Sequence, residues 1–401
     1  MAAGVRARGR SQGPGAPAAT VGAGWTTGPM SLTVVLLLAV VVGLSVIGLI
    51  WVLSASSVRA LRAYGSAWVY FERQLVWLAA GGLALVGTAR ADYRRWRRLS
   101  VPLLALSVAL LLLVLVPGLG VSVSGSTRWL GAGSLRMQPS ELAKLAVLVF
   151  GADVLARRRG TDLPAVPPVL TAFLAVGVLI MLQPDMGTML VVLCVVMALL
   201  FVSGTSLLQL AGLSTAGLAS ALLLGMVAPY RRARLLSFRH PFRDAGNTGY
   251  QVAQSLIGIS SGGLAGVGIG ASRAKWGFLP NAHTDFIFAI IAEEAGLIGG
   301  LLVVVLFAAF AVLGIRAARR APDPFGALVA TGVTAWVLSQ AFINIGAVTG
   351  ILPVTGVPLP FVSFGGSSLV ILLGAVGVVL NIARQGSLAR ARQAPSRPPG
   401  R

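Results

Sequence analysis

Apolar residues occur in long runs along most of this chain, and short polar segments separate one run from the next. Runs of about 18 or more apolar residues are long enough to cross a hydrocarbon core of about 30 Å. The pattern therefore predicts an all-α integral membrane protein with about ten transmembrane helices. The ten predicted spans lie near residues 31–53, 68–88, 101–117, 139–156, 166–182, 187–203, 207–228, 284–315, 326–349 and 363–383.

Composition supports a membrane protein and argues against nucleic-acid binding. Of the 401 residues, 56% are hydrophobic and only 11% are charged, whereas a soluble domain carries roughly a quarter charged residues. The formal net charge is +21, but the basic residues lie between the apolar runs rather than on one face, so they favour control of topology. The lone Cys194 lies inside an apolar run and is predicted to be buried in the core.

The placement of basic residues predicts the orientation in the membrane, because short cytoplasmic loops are enriched in Lys and Arg. With both termini in the cytoplasm, nineteen of the 32 basic residues fall in cytoplasmic segments. Seven others lie between Tyr230 and His283, which this topology makes a large extracytoplasmic loop between helices 7 and 8. We predict a disordered basic N-terminus (1–28), a ten-helix membrane domain (29–385) and a disordered basic tail (386–401).

The loop of residues 230–283 is the concentrated exception to the basic pattern. Its simplest interpretation is a solvated loop, and the alternative is a cationic platform for an anionic substrate. Small and apolar residues alternate within it, which suggests a piece that lies on or dips into the membrane. Its basic residues are Arg231, Arg232, Arg234, Arg239, Arg243, Arg273 and Lys275.

Acidic residues in or beside membrane spans are the candidates for chemistry, since ionisable groups are costly there and usually face a partner or a wet cavity. Glu141 and Lys144 are three apart on a helix and can pair on one face, although Lys144 could instead offer its charge to a phosphate. Asp285 begins a span directly after the basic loop. It could act as a general base or merely complement the helix dipole, with His283 or Thr284 as the cap. The five acids of this kind are Glu141, Asp185, Asp285, Glu293 and Glu294.

Familiar cofactor signatures are missing. The glycines at 266, 268 and 270 follow no predicted strand, so they do not form a dinucleotide fingerprint. Two histidines and one cysteine argue against a protein-only transition-metal site. No metal-binding residue is predicted, and no cofactor is certain, although the sequence leaves open Mg²⁺ or Mn²⁺ held by oxygen ligands.

Seven stretches, in this order, resemble the SEDS family (shape, elongation, division and sporulation proteins). They cover nearly the whole chain from the first span to Arg384. The stretches are Ser126-Thr127-Arg128-Trp129-Leu130, Gln138-Pro139-Ser140-Glu141-Leu142-Ala143-Lys144, Gln183-Pro184-Asp185-Met186-Gly187-Thr188, Tyr250-Gln251-Val252-Ala253-Gln254-Ser255, Lys275-Trp276-Gly277-Phe278-Leu279-Pro280, His283-Thr284-Asp285-Phe286 and Leu359-Pro360-Phe361-Val362-Ser363-Phe364-Gly365-Gly366-Ser367-Ser368.

The resemblance implies a ten-helix peptidoglycan glycosyltransferase of the bacterial plasma membrane that polymerises lipid II. By position, Asp285 matches the family's essential aspartate. The stretch from Lys275 to Pro280 looks more like the division members than the elongation members. We predict as substrate-binding residues Arg128, Glu141, Lys144, Asp185, Lys275, His283, Ser363, Gly365, Gly366 and Ser367.

The implied partners are a class B penicillin-binding protein and other proteins of the division machinery. Three alternatives stay open: an elongation-type polymerase, a lipid II flippase, and a scaffold that recruits a transpeptidase without catalysis. A flippase could use the same intramembrane ionisable residues, although the two halves of the chain show no convincing repeat. A scaffold would not require Asp285.

Overall fold

The computed structural model describes residues 31–123, 126–132, 135–158, 166–227 and 249–393, together with 238, 241–243 and 246. In these ranges it contains ten long helices, and each overlaps one predicted span. The predicted ten-helix arrangement is thereby confirmed. The helices are α1 (Leu32–Tyr64), α2 (Val69–Arg90), α3 (Arg95–Leu115), α4 (Pro139–Arg158), α5 (Val166–Leu182), α6 (Met186–Ser203), α7 (Leu207–Val227), α9 (Ile287–Arg319), α10 (Pro324–Val348) and α11 (Gly366–Gln393).

A shorter helix and a small sheet lie outside the ten predicted spans. A shorter helix, α8 (Tyr250–Gly262), lies within the loop predicted between helices 7 and 8. A three-stranded antiparallel sheet in the order β1 (Gly120–Val123), β2 (Ser126–Ala132) and β3 (Leu135–Met137) connects α3 to α4. The predicted disordered N-terminus (1–28) lies outside the described residues, whereas α11 continues past residue 385 into the predicted tail.

The outward surface of the helices is apolar, as a bilayer requires. Among the residues that the structure describes, six helices are long and apolar enough by themselves to cross a membrane, and α5 and a portion of α7 are shorter apolar helices. Leu208 and Ile298 expose 84% and 66% of their surface, while Glu141, Lys144 and Asp153 of α4 are buried. The prediction that Cys194 is buried in the core is wrong, because its side chain is exposed on α6.

Small residues let α2 and α11 pack closely. A Cβ added at Gly377 of α11 would collide with the hydroxyl of Thr88 and the main-chain oxygen of Leu85, both on α2. The Thr88 hydroxyl donates to the main-chain oxygen of Gly374 at 2.8 Å. Around Gly377 the two backbones therefore approach through a seam without intervening large side chains, which is common where helices associate in lipid.

Three of the segments predicted to be cytoplasmic meet at one end of the bundle. Arg94, between α2 and α3, contacts Asp323 at 3.2 Å and donates to the side chain of Gln385 at 3.1 Å. Tyr93 is buried and donates to Asp323. Burial and the neighbouring Asp323 carboxylate raise the pKa of Tyr93. The α2–α3 and α9–α10 connections and the end of α11 therefore lie on one side.

Helix α9 is broken at Gly296, where φ is +64° and ψ is −163°. The amides of Leu297 and Ile298 donate to the main-chain oxygens of Gly263 and Leu264 at 2.9 and 3.2 Å, in place of the preceding helical turn. Conversely, the main-chain oxygens of Glu293 and Glu294 accept from the amides of Val267 and Gly268 at 3.0 Å each. The loop of residues 263–268 thus satisfies the four groups that the break exposes, as buried backbone requires.

Candidate functional site

Asp285 lies just before α9, in a segment held against α10 and the loop that precedes α11. Asn344 of α10 donates to the main-chain oxygen of Asp285 at 2.7 Å. Ser363 donates to the main-chain oxygen of Thr284 at 2.6 Å. The Asp285 side chain is half-buried, and its Oδ2 is 3.7 Å from the position that a Cβ would take at Gly356. A carboxylate fixed in this way at a partly open position suits a general base.

His283 packs among aromatic rings beside the same segment. The centre of its ring is 4.8 Å from that of Tyr70 and 5.8 Å from that of Phe364. Its main-chain oxygen accepts from the Phe364 amide at 3.0 Å. Burial, with the nearby positive charge of Arg59, lowers the pKa of His283 to about 4. His283 is therefore a neutral side chain at pH 7 and offers no positive charge to an anionic substrate.

The first turn of α9 does not use the caps suggested by the sequence. The N-cap position is Phe286, which makes no side-chain capping bond. The Thr284 hydroxyl donates to the main-chain oxygen of Asn281 at 3.1 Å. His283 and Thr284 therefore do not occupy the N-cap position, and the interpretation of either one as the cap is wrong.

Glu141 and Lys144 form the predicted pair inside the bundle. Lys144 Nζ lies 2.9 Å from Glu141 Oε2, and the side chains of Lys144 and Glu141 are 1% and 4% exposed, respectively. Lys144 also donates to Gln340 Oε1 at 2.9 Å and lies 4.9 Å from the centre of the Trp336 ring. The ion pair is therefore confirmed, and the charge of Lys144 is engaged by protein groups.

One face of α10 joins this pair to Asp285. Gln340 donates to the main-chain oxygen of Pro358 at 2.9 Å, and Asn344 to that of Val357 at 2.7 Å as well as to Asp285. A small cavity lies along the same loop, and its lining includes Glu141, Gln340, Ser363 and Ser368. Gln340 and Asn344 were not among the predicted site residues, although two amides four residues apart in an apolar span could have indicated them.

Arg128 and Asp185 form a second polar cluster at the start of α6. Asp185 is the N-cap of α6 and accepts from the Thr188 amide at 3.2 Å. Arg128 Nη1 lies 3.6 Å from Asp185 Oδ1, and Arg128 Nε donates to the main-chain oxygen of Gln183 at 3.0 Å. The side-chain amide of Gln138 donates to the Asp185 carboxylate at 3.1 Å, and the main-chain amide of Gln138 donates to the Ser367 hydroxyl at 3.1 Å. Three predicted substrate-binding residues, Arg128, Asp185 and Ser367, thus share one network.

The remaining predicted residues are divided between two places. The Gly365 amide donates to Gln74 at 3.4 Å, and a Cβ at Gly366 would come within 2.7 Å of the Trp77 ring, so both glycines border α2. Lys275 lies elsewhere, with Nζ 3.7 Å from Glu294 Oε1. Of the predicted basic platform, Arg243 is exposed, and Arg231, Arg232, Arg234 and Arg239 lie outside the described residues.

Within the ranges that the structure describes, no group of three or more His, Cys, Asp or Glu side chains is arranged to hold a metal ion. Beside Asp285, the Asn344 amide and the Ser363 hydroxyl donate to the main-chain oxygens of Asp285 and Thr284. These side chains alone do not form a site for Mg²⁺ or Mn²⁺, which require several oxygen ligands.

The fold and the polar clusters together define a polytopic membrane protein that buries ionisable side chains such as Glu141 and Lys144 inside the bundle. The family described as FTSW_RODA_SPOVE, "Cell cycle protein", matches residues 34–388. The chain belongs to this family, the SEDS family that the seven sequence stretches predicted.

Two relatives illustrate the similarity. The chain is 42% identical over 357 residues to stage V sporulation protein E of Bacillus subtilis, covering 87% of this chain and 96% of the relative. It is 38% identical over 355 residues to the probable peptidoglycan glycosyltransferase FtsW of Geobacter metallireducens, covering 87% and 93%, respectively.

Solved structures share the fold. A chain from the study "Structural coordination of polymerization and crosslinking by a peptidoglycan synthase complex" matches with a TM-score of 0.72 and 31% identity, covering 87% of this chain and 97% of that one. The rod shape determining protein RodA of Thermus thermophilus matches with a TM-score of 0.65 and 29% identity, covering 87% and 96%.

Proposed function

We propose that this peptidoglycan glycosyltransferase polymerises lipid II into β-1,4 glycan strands for the division septum. The observation that carries the proposal is the position of Asp285, half-buried before α9 and fixed by hydrogen bonds to its own main chain and that of Thr284. The relatives named peptidoglycan glycosyltransferase FtsW support the reaction class.

The chemistry of lipid II sets three requirements. Its polyprenyl chain needs an apolar environment, its pyrophosphate needs positive charge or hydrogen-bond donors, and the acceptor sugar hydroxyl needs a base. The bundle supplies the first and Asp285 the third. For the pyrophosphate, Arg128 is the candidate among the three predicted substrate-binding cations. Its side chain remains 21% exposed, whereas those of Lys144 and Lys275 are 1% and 7% exposed.

The proposed reaction is a single displacement at the anomeric carbon. Asp285 takes the proton of the acceptor hydroxyl while the hydroxyl oxygen bonds to the anomeric carbon of the donor sugar. The bond to the pyrophosphate breaks, and polyprenyl pyrophosphate leaves with the electron pair. An α-linked donor becomes a β-linked glycan, and such inversion needs no second carboxylate as nucleophile.

Glycan synthesis by the purified protein tests this function. Wild-type protein, with and without its cognate transpeptidase, should convert labelled lipid II into a ladder of glycan strands. Asp285→Asn should insert and co-purify normally but react slower by a factor of about 10² or more, because an amide cannot accept the proton at neutral pH. Comparable ladders from both proteins, at equal folded amounts, would reject Asp285 as the base.

The same assay separates the alternatives. A flippase would move labelled lipid II between the leaflets of a vesicle but make no ladder, and a scaffold would do neither. A scaffold is also favoured if an inert Asp285→Asn protein still supports growth.

A class B penicillin-binding protein is the proposed partner. The related structure comes from a complex in which polymerisation and crosslinking are coordinated, and a polymerase of this kind would deliver its glycan to a transpeptidase. Depletion in the native bacterium should yield filaments without septa if the role is septal. Rounded cells would instead indicate elongation, and a defect confined to spore formation would fit the similarity to the sporulation protein.

The proposed orientation places both termini in the cytoplasm and the 230–283 loop outside. Gly246 lies in that loop, is exposed, and has open space where a Cβ would stand. Gly246→Cys in a Cys194→Ala background should react with an impermeant thiol reagent in intact spheroplasts. Labelling that occurs only after lysis would contradict the proposed orientation and place this loop in the cytoplasm.

A further inference from the structure

Residues 287–295 of α9 form a separate half-helix that carries Asp285 before its first turn. The break at Gly296 separates this half-helix from the rest of α9, and the loop of residues 263–268 takes over the hydrogen bonds at the break. The membrane-spanning length of α9 beyond the break therefore does not by itself dictate the direction in which the half-helix points.

Glu293 ties the end of the half-helix to the turn at residues 272–274. Its Oε2 accepts from the Ser272 hydroxyl at 2.5 Å and from the Ala274 amide at 3.4 Å. Its Oε1 accepts from the Arg273 amide at 2.8 Å. Only 2% of Glu293 is exposed. One buried carboxylate thus gathers three donors from a segment some twenty residues earlier in the chain.

Glu294 ties the same end to α1. Its Oε1 accepts from the Ser54 hydroxyl of α1 at 2.5 Å and lies 3.7 Å from Lys275 Nζ. It also accepts from the Ser272 amide at 3.3 Å, and Glu294 is 1% exposed. Burying two carboxylates with one ammonium group is expensive, and apolar side chains could fill the same space at less cost. The arrangement calls for a reason other than stability.

We propose that Glu293 and Glu294 are positioning residues for Asp285, an inference that rests on the proposed function. Glu293 follows Asp285 by eight residues, which is about 12 Å along a helix. The two carboxylates are therefore too far away to touch the atoms that react at Asp285. Over that length, a tilt of the half-helix by about 5° moves Asp285 by about 1 Å, and a misplacement of this size can cost about 10²-fold in rate.

Glu293→Gln tests the inference. Glutamine keeps the length of the side chain, but its NH₂ group is a donor and would face N–H or O–H donors. The hydrogen bonds accepted by one of the two carboxylate oxygens are therefore lost. We expect kcat for glycan synthesis to fall about tenfold or more while KM for lipid II changes by less than about twofold. Thermal stability in detergent is measured on the same preparations, so that rates refer to folded protein.

Asp153→Asn is the matched control. Asp153 is also buried, and it accepts from Arg97 at 2.8 Å, Ser100 at 2.9 Å and Arg157 at 2.7 Å, but it joins α3 to α4. This variant should lose stability and keep its kcat, because it leaves the half-helix untouched. If both variants lose kcat equally, loss of buried charge in general explains the effect, and the positioning role is rejected.

Ser272→Ala covers the case in which Glu293→Gln does not fold. It removes one donor to Glu293 and keeps every charge, and we expect kcat to fall about threefold or more at unchanged KM. An unchanged kcat in whichever of the two variants folds would overturn the inference. Failure of the proposed function would look different, since the wild type and Asp153→Asn would then make no glycan ladder either.

Discussion

The pair of Glu141 and Lys144 allows a quantitative prediction about stability. Lys144→Met removes the ammonium group and leaves the Glu141 carboxylate, 4% exposed, without the partner 2.9 Å away. Breaking a buried ion pair from one side costs about 3–5 kcal/mol, because an uncompensated charge remains in a region of low dielectric constant. We expect Lys144→Met to lose stability in this range.

Removing the other partner should cost less. In Glu141→Gln, Lys144 keeps its contacts to Gln340 at 2.9 Å and to the Trp336 ring at 4.9 Å. A loss of about 2–3 kcal/mol is therefore expected. The double variant contains neither charge and should return to within about 1 kcal/mol of the wild type. The coupling free energy between the two sites is then about 4 kcal/mol or more in magnitude.

Unfolding of the purified proteins by SDS in mixed micelles measures these differences, with glycan synthesis followed in parallel. Leu145→Met is the control, because it places the same methionine at the neighbouring buried residue and should cost less than about 1.5 kcal/mol. Purely additive losses would refute the ion-pair reasoning. A double variant that is both stable and fully active would reject a role of Lys144 in binding substrate, whereas a stable but inactive one would support that role.

Three further predictions concern single side chains. The pKa of His283 is lowered to about 4 in the folded state, so as the pH falls the unfolded state binds a proton at His283 before the folded state does. Stability should therefore be complete above about pH 6.5 and fall by up to about 3 kcal/mol towards pH 4, and His283→Phe should remove that component of the pH dependence in thermal unfolding. Asp185→Ala should cost at least about 1 kcal/mol by loss of the α6 cap, and Asp185→Asn should restore most of it; equal losses in chemical unfolding would contradict the capping role. Tyr93→Phe removes the hydrogen bond to Asp323 and should cost about 1.5–3 kcal/mol in the same unfolding experiment, and an unchanged midpoint would show that this bond contributes nothing net.

The helices could be predicted because the length of an apolar run is dictated by the bilayer. The same argument does not apply to the segment between α3 and α4, where the strands are three to seven residues long. Pairing in such a sheet depends on neighbours and turns rather than on a long local pattern. The prediction for Cys194 fails because apolar surroundings usually indicate the interior, whereas lipid is also an apolar solvent.

Local pairs in the site could be predicted, and distant ones could not. Glu141 and Lys144 are three residues apart, so helix geometry alone places them on one face. Lys275 and Glu294 meet only because a loop inserts at the break in α9, and no periodicity in the sequence indicates that contact. The anchoring of Asp285 by Asn344 joins residues 59 apart, and it likewise depends on how the helices are arranged.

The glycine seam between α2 and α11 has a mechanical consequence. Where two backbones are in contact without large side chains between them, sliding or tilting one helix produces a steric clash with the other. We therefore expect the two helices to move as one rigid unit. The lipid-linked substrate proposed above would have to enter the interior of the bundle between neighbouring helices that can separate. At the seam this would break a contact tight enough that a Cβ at Gly377 meets Thr88. On the proposed function, we therefore expect a lipid-linked substrate to enter between other helices rather than through this contact.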